Sequence, residues 1–196
     1  MKLTFQKVTG IILMLFSTTG IIASLVLSIE RINLLKDANA VLSCSINSVF
    51  SCASVMTSPQ AEILGFPNPL IGLIGFSMVF VYGLFLYFFK ERNKIVDLAY
   101  FLGILGAFIF SYWLLYESVF VIKSLCIYCL LSCFSATNML FAHKLLLLKD
   151  GIIKLKSSFN EKIQTFISKQ NYFFVIGLWY LIVIALVYIE FKDRFV

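Results

Sequence analysis

Five cysteines are the residues of this sequence best suited to chemistry: Cys44, Cys52, Cys126, Cys129 and Cys133. Cys126-Ile127-Tyr128-Cys129 is a C-x-x-C pair, and on a helix positions i and i+3 share a face. At a helix start, unpaired N–H groups and the helix dipole lower a thiol pKa and so favour the thiolate, the nucleophile of disulfide exchange. Lys123, one turn earlier, adds positive charge. Cys126 is nearer the terminus and is expected to be the more exposed partner, with Cys129 about 4.5 Å deeper along the axis. Cys44 and Cys52 are separated by seven residues that include neither glycine nor proline.

Competing readings attach to each cysteine. Cys133 alone reads as a small buried hydrophobe. The pair Cys44 and Cys52 reads equally as a static disulfide stapling a loop. Structural zinc prefers two close-spaced cysteine knuckles, and C-x7-C is not one, so no metal site is expected.

The elements that position these residues follow from the spacing of charge. Of 196 residues, 61% are hydrophobic and 13% charged, against roughly half and a quarter for a soluble domain. Charge-free runs occupy Val8–Ile29, Leu70–Phe89, Leu98–Tyr116, Ser124–Ala142 and Asn171–Ile189. A helix needs about 20 residues to cross a bilayer, where backbone groups must pair internally. The fold class expected is an all-α integral membrane protein with five spans. The first run is too long for the apolar core of a cleaved signal peptide and lacks an A-x-A-like site after it, so it is expected to remain.

Eleven basic residues fall on the side of Lys2, Lys90 and Lys144–Lys169, and five on the other, with Arg31, Lys36, Lys123, Lys192 and Arg194. The positive-inside rule places the N-terminus in the cytoplasm and the C-terminus outside. The basic stretch 143–170 reads as a cytoplasmic loop lying on anionic lipid, not as a nucleic-acid patch. Its part 151–170 has the pattern of an interfacial helix. This topology gathers Cys44, Cys52, Cys126 and Cys129 at the outer face, where disulfides persist. Two pairs on one face can relay electrons through mixed disulfides. In the outer loop 30–69, Ser58-Pro59 suits a short helix start and Pro69 the first turn of the second span. Asn68, between two prolines, reads as a turn residue. Gly72-x-x-Gly75 and Gly103-x-x-Gly106 are expected to permit close helix approach.

The string Cys44-x7-Cys52, Val55, Ser58, Gly65, Pro67, Asn68, Gly72 and then Leu125-Cys126-Ile127-Tyr128-Cys129 resembles the vitamin K epoxide reductase family, in its bacterial disulfide-forming branch. The resemblance covers roughly residues 8–142. It implies a four-helix bundle around a quinone, ubiquinone or menaquinone, capped by the first outside loop, with 171–196 as a fifth helix and short outer tail. It implies that Cys129 faces the quinone, Cys126 exchanges with Cys52, and Cys44 pairs with Cys52 and meets the protein partner. Ser58 would help hold the cap, and Asn68 would donate to a quinone carbonyl. Cys133 stands where some members carry a quinone-contacting tyrosine. Many bacterial members continue into a thioredoxin-like domain. Only Glu190–Val196 follows the last span here, so the expected partner is a separate, DsbA-like thioredoxin-fold protein outside the cytoplasm.

The function expected is thiol oxidation coupled to quinone reduction in a bacterial inner membrane. A membrane scaffold or transporter subunit with a structural disulfide is the alternative from another class. Transporters carry ionisable residues within spans, and the five assigned runs contain none, with His143 placed at a cytoplasmic end. Reduction of vitamin K epoxide itself is a third reading that the same cysteines would serve.

Overall fold

The computed structural model describes residues 4–37, 40, 42–45, 47, 49–153 and 172–192. Five of its helices are long and apolar enough to cross a membrane: α1 (Phe5–Lys36), α3 (Asn68–Phe88), α4 (Lys94–Tyr116), α5 (Ile127–Lys149) and α6 (Tyr172–Phe191). Between α1 and α3 lie the short helix α2 (Cys52–Met56) and a 3₁₀ turn, Pro59–Glu62. Residues 154–170 of the expected interfacial helix and the tail 193–196 lie outside the described residues.

Several bounds differ from those expected, because a charge marks where a helix stops being apolar and not where it ends. α1 runs to Lys36, and at about 1.5 Å per residue its 32 residues are longer than a bilayer core is thick. Its last turns stand beside the cap, where Glu30 accepts from the backbone N–H and hydroxyl of Ser43 at 3.1 and 2.5 Å, and Arg31 pairs with Glu62 at 2.6 Å. α4 continues through a π-helical turn, Glu117–Ile122, that Lys123 closes at φ 56°. α5 begins at Ile127, because Ser124 and Leu125 are drawn into a bridge with the cap.

α1 packs along α3 and α5, and α4 along α5. Small residues allow the first contact: a Cβ on Gly10 would stand 2.8 Å from the carbonyl oxygen of Gly83, and one on Gly20 2.5 Å from the Phe76 ring. Of the four glycines expected to permit close approach, only Gly72 does so: a Cβ there would stand 2.5 Å from Ser24 Oγ. Gly75, Gly103 and Gly106 would meet nothing within 4 Å and instead line a cavity between α3, α4 and α5. α6 lies against α4 and α5 through hydrogen bonds that apolar surroundings favour. Trp179 Nε1 donates to Tyr112 Oη at 2.7 Å, and Asn138 Nδ2 to Tyr180 Oη at 2.6 Å. Outward-facing Leu15, Ile22, Ile74, Val81, Ile109 and Leu181 are exposed, as lipid contact requires.

The end of the bundle away from the cysteines holds a buried polar cluster. Tyr82 donates to Asp97 at 2.6 Å and contacts His143 Nε2 at 3.1 Å. Arg92 donates to Asp97 at 3.0 and 2.6 Å and bonds Asp150. The expectation that the spans carry no ionisable group is therefore corrected: Asp97, Glu117 and His143 all lie within spanning helices. The argument that their absence gave against transport falls with it.

Candidate active site

The pairing of two short backbone segments builds the site. Residues 49–51 run parallel to 124–125, with Leu125 N–H donating to Val49 O at 2.7 Å and Ser51 N–H to Leu125 O at 3.0 Å. Ser51 immediately precedes Cys52, and Leu125 immediately precedes Cys126. Ser51 then caps α2, its hydroxyl accepting from Ser54 N, so Cys52 starts one helix as Cys126 caps another. The result is a sulfur–sulfur distance of 3.2 Å between Cys52 and Cys126. Reacting atoms held about 3–3.5 Å apart are at the separation of a near-attack geometry.

Cys44 and Cys52 form a disulfide with Cα atoms 5.6 Å apart, whereas Cys126, Cys129 and Cys133 are free thiols. The outer disulfide is covered: Cys44 is 2% and Cys52 0% exposed, within a cluster of Leu27, Leu34, Leu42 and Met56.

The inner pair reverses one expectation. Cys126 is 1% exposed, because Cys52 and α2 sit on it, while Cys129 is half-buried and opens into the cavity. A hydrogen bond from the Cys129 side chain holds the Cys126 thiol below its ordinary value, against burial and with help from the backbone N–H groups of Cys129 and Tyr128. Cys129 N–H lies 3.4 Å from the Cys126 sulfur. The helix-start effect is thus present, but Lys123 is drawn away, 3.8 Å from Glu190 of α6.

The cavity occupies about 560 Å³ and its walls are mainly apolar, within the range of small-molecule sites. At the cysteine end its wall carries Cys129, Ser58, Gln60, Asn68 and Glu117. Asn68 opens α3 and folds its amide back over the 3₁₀ turn, donating to Gln60 O at 2.7 Å and accepting from Ile63 N–H at 3.3 Å. One amide hydrogen is left over, since the group carries two. Ser58 stands at the N-cap position ahead of Pro59, as expected, but its hydroxyl donates back to Val55 O at 2.7 Å, joining α2 to the turn. Cys133 lines the same wall and donates to Ser111 O at 3.2 Å.

The sequence pattern of the vitamin K epoxide reductase family matches residues 11–143. The chain belongs to that family. Its members are quinone-linked oxidoreductases that generally reoxidise a thioredoxin-like partner. A comparison with curated proteins finds no match. The residues present fit a quinone. A ring can lie against Cys129 and the polar end. Gly75, Gly103 and Gly106 leave open the wall that side chains would otherwise fill, in an apolar space suited to a prenyl tail.

The sequence singled out the four cysteines, Ser58 and Asn68, which lie together at one end of the bundle. It missed the 49–51/124–125 bridge, the Glu30–Ser43 contact and the pair Gln60–Glu117, whose Nε2 and Oε2 are 3.2 Å apart. Glu117 had one available signal, a carboxylate directly after a charge-free run and nine residues before Cys126.

Proposed function

We propose that this protein is a thiol–quinone oxidoreductase of the family's bacterial disulfide-forming branch. In this reading it reoxidises a thioredoxin-fold protein outside the cytoplasm. The distribution of basic residues supports that orientation. The observation that carries the reading is the line of sulfurs: a bonded Cys44–Cys52, Cys126 at 3.2 Å from Cys52, and Cys129 on the cavity wall.

The steps balance as thiol–disulfide exchange. A partner thiolate attacks Cys44 and releases Cys52. Cys52 attacks Cys126 of the inner disulfide and releases Cys129. The partner's second thiol then frees Cys44, which re-forms its bond to Cys52 and expels Cys126. The depressed value of the Cys126 thiol favours that last step, because a thiol of lower pKa leaves faster. Oxidised outer and reduced inner pairs are the state in which Cys126 and Cys129 hold two electrons. A quinone bound in the cavity would supply the acceptor for two electrons and two protons. Cys129 delivers from the wall and re-forms its bond to Cys126. Asn68 offers its remaining N–H to a carbonyl that gains electron density, and Ser58 holds the turn that closes the cavity.

Replacing Cys44 separates the donor steps. Cys44→Ser is expected to retain oxidation of a small dithiol and to lose turnover of a reduced thioredoxin-fold protein, followed by thiol titration. Intact turnover of the protein substrate would show the order of the relay to be wrong.

A further inference from the structure

Glu117 is a carboxylate in the cavity wall to which the relay gives no task. It opens the π turn at the end of α4, inside the span Lys94–Ile122. Ionisable side chains inside spans are costly and mark function by default. Its Oε2 accepts from Gln60 Nε2 at 3.2 Å. Among the described residues no lysine or arginine pairs with it, whereas Glu62, Asp97, Asp150 and Glu190 each have a basic partner.

Several other polar groups on this wall are already bonded. Ser58 donates to Val55 O, Ser132 to Tyr128 O and Cys133 to Ser111 O. Asn68 does not titrate, and Cys129 is needed for electrons. Tyr100 lines the cavity too, but it lies seventeen residues before Glu117 on the same helix, which is about 25 Å toward the other end.

We propose that Glu117 carries protons from water at the cysteine end to the quinone reduced by Cys129, an inference that rests on the thiol–quinone reading above. Closing Cys126–Cys129 forms one S–S bond and releases two electrons. Converting a quinone to its quinol consumes those electrons and two protons. The donor's thiol protons leave to water during exchange. Each proton the quinol needs breaks an O–H bond at Glu117 and forms one at a quinone oxygen. The carboxylate takes its replacement from water, twice per turnover.

Groups on the elements packed against this turn also titrate or carry charge. α2 brings Cys52, held in its disulfide, and the 3₁₀ turn brings Glu62 with its partner Arg31. α4 ends at Tyr116, and α5 begins at Cys126 and Cys129. The end of α6 carries Tyr188 and Lys192, with Glu190 beside Lys123. The test therefore compares variants that differ only at Glu117.

Glu117→Gln preserves shape and can still accept from Gln60. With dithiothreitol as donor, quinone reduction by E117Q is expected to fall about 100-fold. Glu117→Asp should restore part of it. Reduction of Cys44–Cys52 by dithiothreitol without quinone, and the melting temperature, should match the parent. An infrared carboxyl band that shifts when quinone is added to the parent protein should be missing in E117Q. Turnover within a few-fold of the parent, or a carboxyl band indifferent to quinone, would overturn the proposal. A parent protein that reduces its disulfides but never a quinone would overturn the thiol–quinone reading, and this proposal with it.

Discussion

The neighbours of Cys126 hold its thiol below the ordinary value against the opposing effect of burial. The Cys129 side chain is the largest cause of its lowered value, ahead of opposing burial. A thiol depressed in the folded state contributes stability above its unfolded value and loses it as pH falls through the folded value. In the reduced protein, acidification through that window should remove both stability and the easily expelled Cys126 thiolate. Cys129→Ala deletes the main hydrogen bond. Alkylation of Cys126 by iodoacetamide should then require higher pH than in the reduced parent. An unchanged pH midpoint would assign the depression to the backbone N–H groups instead. At this scale the sequence was informative, because C-x-x-C at a helix start states its own local chemistry. Relative exposure was not legible. Cys52, 74 residues away in sequence, is what covers Cys126.

Among the elements, the least regular ones do the positioning. The segment 49–51, the bridge to Leu125 and the π turn bring two distant cysteines together, whereas the long helices supply walls. Ser51→Pro removes the N–H that donates to Leu125 O at 3.0 Å, and its φ of −138° does not suit a proline ring. Loss of a buried backbone bond costs about 1–3 kcal/mol. The variant should keep its helical circular dichroism and its Cys44–Cys52 bond while electron transfer from Cys52 to Cys126 slows at least tenfold. Equal exchange rates in parent and variant would mean that the bridge does not position the pair. Charge-free runs gave the five spanning helices well, because lipid imposes a length and forbids unpaired backbone. They could not give the bridge, which is a contact between residues remote in sequence.

For the whole molecule, the cavity is held between two tied ends. At the cysteine end the cap is joined to α1 by Arg31–Glu62 and Glu30–Ser43. At the other end Asp97 is 1% exposed and bonds both Tyr82 of α3 and Arg92, which also reaches Asp150 past α5. Removing one member of a buried charge pair costs about 3–5 kcal/mol. Asp97→Asn should lower the thermal stability of the detergent-solubilised protein by about that amount. The Cys52–Cys126 exchange rate should stay near the parent's, since the two ends are joined only through the helices. A collapse of exchange together with stability would mean that the ends are coupled. The sequence hid this arrangement because its charges bounded the expected spans and were set aside as loops. Gly75, Gly103 and Gly106 depart from expectation for a related reason: spacing reveals a small residue but not whether its open side meets a helix or a cavity.

Quinone reduction by the purified protein tests the central claim most directly. Quinone absorbance in the ultraviolet would be followed with a reduced thioredoxin-fold protein as donor, beside Cys129→Ser. Turnover by the parent that disappears in Cys129→Ser is the predicted result, because Cys129 is the inner-pair thiol that opens into the cavity. Absence of turnover with both cysteine pairs intact, or turnover that survives the substitution, would contradict the account.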